Sequence, residues 1–87
     1  MPAFEDDAGK SRANKAKHGI DFEEAQQLWD DADLLEIAAR SSDEPRILVI
    51  GRIGERHWSA IITPRGEKVR IISVRAARRE EREIYES

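Results

Sequence analysis

Two short strings hold most of the side chains in this 87-residue chain that could meet a phosphate or move a proton. The first is Asn14-x-x-Lys17-His18-Gly19-Ile20-x-Phe22-x-x-Ala25, and the second is Arg70-Ile71-Ile72-Ser73-Val74-Arg75-x-Ala77. On a helix, Lys10, Asn14 and Lys17 share one face at i, i+4 and i+7 with His18 beside them, while Ala13 and Ala16 take the other side. His18 then falls in the last turn, where the helix dipole favours an imidazolium that can donate a proton or bind phosphate near neutral pH. The same pattern also fits a solvated face with His18 as a C-terminal cap. On a strand, Val69, Ile71, Ser73 and Arg75 point one way and Arg70, Ile72 and Val74 the other. Arg75 at the strand's end, with Arg78, Arg79 and Arg82 following, forms a guanidinium cluster able to clamp phosphates bidentately. Pairing of Arg79 with Glu83 and of Arg82 with Glu86 is the mundane alternative, worth about 0.2–0.5 kcal/mol each. Arg78 and Arg82 repel at the same spacing, which favours an outside anion. His57-Trp58 fits a base-stacking aromatic beside a proton donor. Trp58-x-Ala60-x-Ile62 reads more simply as core, and that reading is preferred. Tyr85 is either an acid/base group or a helix-end packing residue.

The absence of cysteine rules out disulfides, thiolate metal sites and a cysteine nucleophile. Two histidines at unrelated spacing do not make a zinc site, and no cofactor is expected. No phosphate-cradling glycine loop, metal-binding acid pair or serine elbow is present. A nuclease of this composition therefore works without metal, as RNA permits. The 2′-hydroxyl is already held beside the phosphorus, so the enzyme need only align it, take its proton and stabilise the phosphoryl oxygens. DNA would be left uncut. The chain has no apolar run of transmembrane length and no export signal, so a soluble cytoplasmic protein is expected.

Net charge is -3, but it is unevenly spread. Residues 21–36 carry acids and no Lys or Arg, while residues 10–18 and 65–82 are dominated by bases. The two basic blocks are expected to merge into one polyanion-facing surface.

The elements that must position these groups follow from periodicity. Phe4-Glu5-Asp6-Asp7 is a leader or edge strand, and a helix runs from about Ala8 to His18 and stops at Gly19. Asp21-x-x-Glu24 opens a second helix as a capping box, with Ile20 and Ala25 as its staple and Phe22, Ala25 and Trp29 as its buried stripe. Leu35, Ile37 and Ala39 alternate with Glu36, Ala38 and Arg40 as a strand, and Ser41-Ser42-Asp43-Glu44-Pro45 turns into Arg46 to Ile50. Gly54-Glu55 suits a two-residue hairpin, Arg56 to Thr63 returns, Pro64-Arg65-Gly66 turns, and Lys68 to Arg75 is the fourth strand. Ala77 to Tyr85 is a final helix. The expected fold is one α+β domain over residues 1–87, with two N-terminal helices, a four-stranded antiparallel sheet and a C-terminal helix.

Over almost its whole length the chain resembles the BrnT family of bacterial toxins, small ribonucleases of type II toxin-antitoxin systems. The likeness runs through Phe4-Glu5-x-Asp7, Lys10, the Asn14 to Ala25 string, Asp31, Ile50-Gly51, Thr63-x-Arg65, the Arg70 to Ala77 string and Glu81-Arg82-x-x-Tyr85. Many relatives have Trp in place of Asp6 and Ala in place of Val74, and the acidic balance is the main departure. The resemblance implies a RelE-like ribonuclease toxin fold, metal-independent RNA cleavage, and neutralisation by a BrnA-like ribbon-helix-helix antitoxin. That antitoxin also represses the operon, so operator DNA is met only through it, in an expected 2:2 complex. By position, the resemblance assigns Lys17, Arg65, Arg75 and Arg79 to phosphate binding and charge stabilisation, and His18 or Tyr85 to proton transfer. A non-catalytic toxin-fold module acting only as co-repressor with its antitoxin is the alternative.

Overall fold

In the computed structural model, which describes residues 2–39 and 43–87, Asp7 opens the first helix by accepting a hydrogen bond from the Lys10 N–H at 2.9 Å. This helix, α1, spans Ala8–His18 and ends at Gly19, whose φ of 82° suits a residue without Cβ. The corner into α2 (Phe22–Ala25) is the expected capping box, with Glu24 N–H donating to Asp21 at 2.7 Å and Asp21 N–H to Glu24 at 3.0 Å. The second helix is shorter than its stripe suggested. After one turn it tightens into a 3-10 segment, Gln26–Asp30, and three residues per turn align Phe22, Ala25 and Leu28 rather than Trp29. Trp29 instead meets Phe4 edge-on at 4.9 Å.

Among the described residues the sheet has five strands rather than four, and it is mixed rather than antiparallel. Strands β2 (Leu35–Ala39), β3 (Arg46–Ile53), β4 (Arg56–Arg65) and β5 (Lys68–Ala76) form the expected antiparallel meander. The leader joins it as β1 (Ala3–Glu5), parallel to β5, with Phe4 opposite Val69 and Glu5 opposite Arg70. A Glu5–Arg70 ion pair at 2.9 Å and the packing of Phe4 on the core hold it there. Helix α3 (Arg79–Glu86) closes the chain. Of the turn expected at 41–45, residues 41 and 42, like Arg40, lie outside the described residues, and Asp43 and Glu44 form a bend.

Two turn and register details decide where side chains point. Gly54, at φ 62°, makes the expected hairpin with Glu55, but Pro64 and Arg65 belong to β4 and the next turn is Gly66-Glu67. Pro64 is tolerated because the β3 ladder already ends at Ile47 opposite Ile62, so its missing N–H breaks no pairing. In β5 the register slips by one: Ile61 faces Ser73 while Ile62 faces Ile71, leaving Ile72 as a bulge. Strict alternation therefore fails. Ile71 and Val74 both reach the core, and Ser73 and Arg75 face the other side, separating Ile71 from the group first assigned to it.

The core lies between one sheet face and the α1–α2 layer. Rows Val49–Ala60–Val74 and Ile47–Ile62–Ile71 pack under Ile20, Phe22, Ala25 and Leu28. Gly51 is needed for close approach, since a Cβ there would lie 2.8 Å from Leu34 and 3.1 Å from Leu28.

Asn14 was expected on a solvated face with Lys10 and Lys17, yet it is 8% exposed, while Ala13 and Ala16 point outward. Its side-chain amide donates to the Ile20 carbonyl at 2.8 Å and the Val74 carbonyl at 2.9 Å, and accepts from the Val74 N–H at 3.1 Å. The cause is the sheet edge: β1 ends at Glu5, opposite Arg70, so among the described residues no strand pairs with Val74 beyond it, and the Asn14 amide does so as a peptide would. Asn14→Ala strips partners from Val74 and Ile20 together and is expected to cost about 2–3 kcal/mol. Urea unfolding measures this. A change below about 0.5 kcal/mol, the range of ordinary surface substitutions, would contradict the role.

Candidate active site

Helix α3 lies on the sheet face opposite α1 and α2, because the bulge turns Arg75 to that side beside its cross-strand partner Ser59. None of the residues of α3 is itself buried, but Ile50, in the cross-strand row of Ser59 and Arg75 on this face, is fully buried, and charged side chains of the helix add polar contacts. Glu81 is the centre. Its carboxylate accepts from Arg75 Nη1 at 2.7 Å and Nη2 at 2.9 Å, from Ser59 Oγ at 2.9 Å and from the Arg78 N–H at 2.8 Å. The Arg75 guanidinium, backed by the Arg78 and Ser59 donors, holds the Glu81 carboxyl at about 2. In return, the Arg75 pKa is raised. The guanidinium expected to clamp a phosphate thus holds an internal carboxylate in that geometry.

Further along α3, the Tyr85 hydroxyl donates to Asp31 at 2.7 Å, and the same carboxylate accepts from the Arg52 and Asp33 N–H groups, each at 2.9 Å. The bond to Asp31 pushes Tyr85 up to about 12, so its proton is committed at neutral pH. The expected Arg82–Glu86 pair does not form. Glu86 instead reaches across to β4, where its Oε1 lies 2.7 Å from His57 Nε2. The Tyr85 ring packs edge-on to that imidazole at 5.2 Å. His57, Arg79, Arg82, Glu83 and Glu86 together line an open groove of about 340 Å³. Arg79 pairs with Glu83 at 3.2 Å as expected, both being well exposed, whereas Arg82 makes no ion pair among the described residues.

The sequence-derived candidates are split. Arg75, Arg79 and Tyr85 are on or under α3. Lys17, exposed, and His18, partly covered, end α1 on the other side of the sheet. Arg65 is at the β4–β5 hairpin, 3.5 Å from Glu5 and 3.9 Å from Glu44. Among the described residues no hydrogen bond or ion pair joins Lys17 or His18 to Arg65, Arg75, Arg79 or Tyr85. The two basic blocks meet only in part: Arg70 of the second lines a cleft with Lys10 of the first beside β1, whereas the α3 arginines of the second lie across the sheet from Lys17 and His18. His57, which the sequence offers as a proton donor beside Trp58, lies in the open groove although the family resemblance assigns it no role. Trp58 is core, as expected, with Arg56 stacked 4.6 Å over its ring. The signal for His57 was the same alternation: if Trp58 points inward, His57 points to the face that the arginine-rich helix must cover.

Among the described residues, no three His, Cys, Asp or Glu side chains are arranged to hold a metal ion, and no helix is long and apolar enough to cross a membrane. A family model described as "Ribonuclease toxin, BrnT, of type II toxin-antitoxin system" matches residues 7–81, which takes in α1 through the Glu81 latch. No curated protein matches the chain.

Glu81 sets a pH dependence whose sign is fixed by its depressed pKa. The stabilisation from its bonds is present above the ordinary carboxylate range and is lost as pH falls from about 4.5 toward about 2. With the Glu81 side chain only 13% exposed, its bonds to Arg75, the Arg78 N–H and Ser59 together should contribute about 3 kcal/mol at neutral pH. Thermal unfolding of parent and Glu81→Gln between pH 2 and 7 should converge at the acid end. Parallel curves over that range would contradict this.

Proposed function

The chain belongs to the BrnT family of ribonuclease toxins of type II toxin-antitoxin systems, and from that premise we propose that it is a metal-independent endoribonuclease acting in the cytoplasm, where it inhibits translation and growth. The observation that supports this most is the α3–β4 groove, where Arg79 and Arg82 stand beside an imidazole. Guanidinium groups there can hold a scissile phosphate and stabilise charge developing on its oxygens, and the RNA 2′-hydroxyl serves as internal nucleophile. Cleavage then needs alignment and proton transfer, with no metal-bound water.

Within this reading the sequence-derived residues take different parts. Arg79 binds phosphate directly. Arg75 acts through Glu81 to hold α3, and Tyr85 acts through Asp31 to set the far end of the same helix. Lys17, His18 and Arg65 lie outside the groove, where they can guide the RNA backbone electrostatically. The arrangement is read as a RelE-like toxin fold in a single domain.

Family membership also implies a protein antitoxin. We take it to be BrnA-like, with a dimeric ribbon-helix-helix part, which gives two toxins on one antitoxin dimer and operator contact through the antitoxin alone. One observation favours a second reading, in which the chain is only a co-repressor. Net charge is -3, and internal carboxylates already engage Arg65, Arg75 and Arg79.

Purified protein incubated with RNA and excess chelator is expected to leave 2′,3′-cyclic phosphate and 5′-hydroxyl ends, read by end-labelling. A 3′-hydroxyl product, or dependence on a divalent ion, would overturn the mechanism. Intact RNA and normal growth on expression without the antitoxin, with antitoxin binding preserved, would favour the co-repressor.

A further inference from the structure

We propose that His57 is the proton-transfer residue of this site and that Glu86 positions it, a step that rests on the ribonuclease reading above. The geometry narrows the choice by what the other candidates are already doing. The Tyr85 hydroxyl already donates its hydrogen bond to Asp31, and the Asp31 carboxylate is itself held by two backbone N–H groups. His18 stands at the end of α1, across the sheet from the groove. His57 is in the groove with Arg79 and Arg82.

The pairing with Glu86 also selects a tautomer. A carboxylate 2.7 Å from Nε2 accepts a hydrogen bond, so the proton resides on Nε2 and the lone pair on Nδ1. No hydrogen bond occupies Nδ1 among the described residues. A histidine whose one nitrogen is fixed by a carboxylate and whose other nitrogen carries the lone pair is equipped as a general base, and the same carboxylate stabilises the imidazolium that results. The Tyr85 ring at 5.2 Å limits the tilt of the imidazole. Glu86 is thus a positioning residue; it does not touch the reacting atoms.

In the proposed step the 2′-oxygen attacks phosphorus as Nδ1 takes the 2′-hydroxyl proton. The 2′-O–P bond forms, the P–O5′ bond breaks, and the 5′-oxygen takes a proton from solvent in the open groove. His57 then returns its proton to water. Arg82, which pairs with no carboxylate among the described residues, and Arg79, whose exposed pair with Glu83 yields readily, face the phosphoryl oxygens. The groups facing His57 are Glu86, Glu83, Arg79, Arg82 and Tyr85 from α3, with Arg52 opposite it on β3 and Asp31 behind Tyr85.

The test is single-turnover cleavage of a short oligoribonucleotide from pH 5 to 9. His57→Ala and His57→Gln should each lose about 100-fold or more, and the acid limb of the profile should disappear with them. Glu86→Gln should lose less and displace that limb rather than remove it. Both His57 variants should still bind the 2′-deoxy analogue of the oligonucleotide within a few-fold of the parent, which separates lost chemistry from lost structure. A parent that cleaves RNA while both His57 variants cleave at its rate, or keep its pH profile, overturns this assignment alone. A parent that cleaves no RNA overturns the ribonuclease reading and this step with it.

Discussion

The side-chain amide of Asn14 does the work of a missing strand. Beyond the end of β1 the outer edge of β5 lacks a strand partner among the described residues, and Asn14 pairs there with Val74 in both directions while also holding the Ile20 carbonyl. Burying Val74 and Ile71 under the helices is possible only because that edge is closed. One side chain thereby fixes α1 on β5, the Gly19–Ile20 corner on α1, and the side of the sheet that receives the core. Arg75, next to Val74, faces the other side of the sheet by alternation beyond the Ile72 bulge.

That division gives the two faces different physics. The α1–α2 face carries the main apolar core, whereas on the α3 face the buried Ile50 is joined by three carboxylate contacts: Glu81 on Arg75 and Ser59, Asp31 on Tyr85, and Glu86 on His57. Polar docking leaves the helix's charged groups near the surface and ordered, which a site for a polyanion requires. It also means that guanidinium count is a poor guide to phosphate affinity here. Arg75 is the most constrained arginine of the α3 face, and for that reason the least available to a substrate.

Local chemistry was readable from the residues alone. The bounds of α1, the Asp21–Glu24 capping box, the left-handed Gly19, the Gly54 hairpin and the inward Trp58 all depend on neighbours in sequence, and all are present. What escaped depends on distant pairing or on winding. The parallel docking of β1 joins residues 65 apart, as in Glu5 with Arg70. The Ile72 bulge shows no sequence signal but inverts the meaning of strand alternation. Asn14 looks solvated on a helical wheel because the partner that draws it inward is 60 residues away. The site shared this fate. Arg79 stands out by its charge and His57 as the proton donor beside Trp58, but the pairing of His57 with Glu86, in place of Arg82 with Glu86, depends on how α3 crosses the sheet.

The central claim is that RNA meets the protein at the α3–β4 groove rather than at the end of α1. Mapping side-chain and backbone NMR shifts while titrating a 2′-O-methyl oligonucleotide, which binds but cannot be cut, tests it most directly. The account predicts that the largest changes fall on His57, Arg79 and Arg82, with the Arg75–Glu81 pair kept intact. Shifts confined to Lys17, His18 and their neighbours on α1 would contradict it.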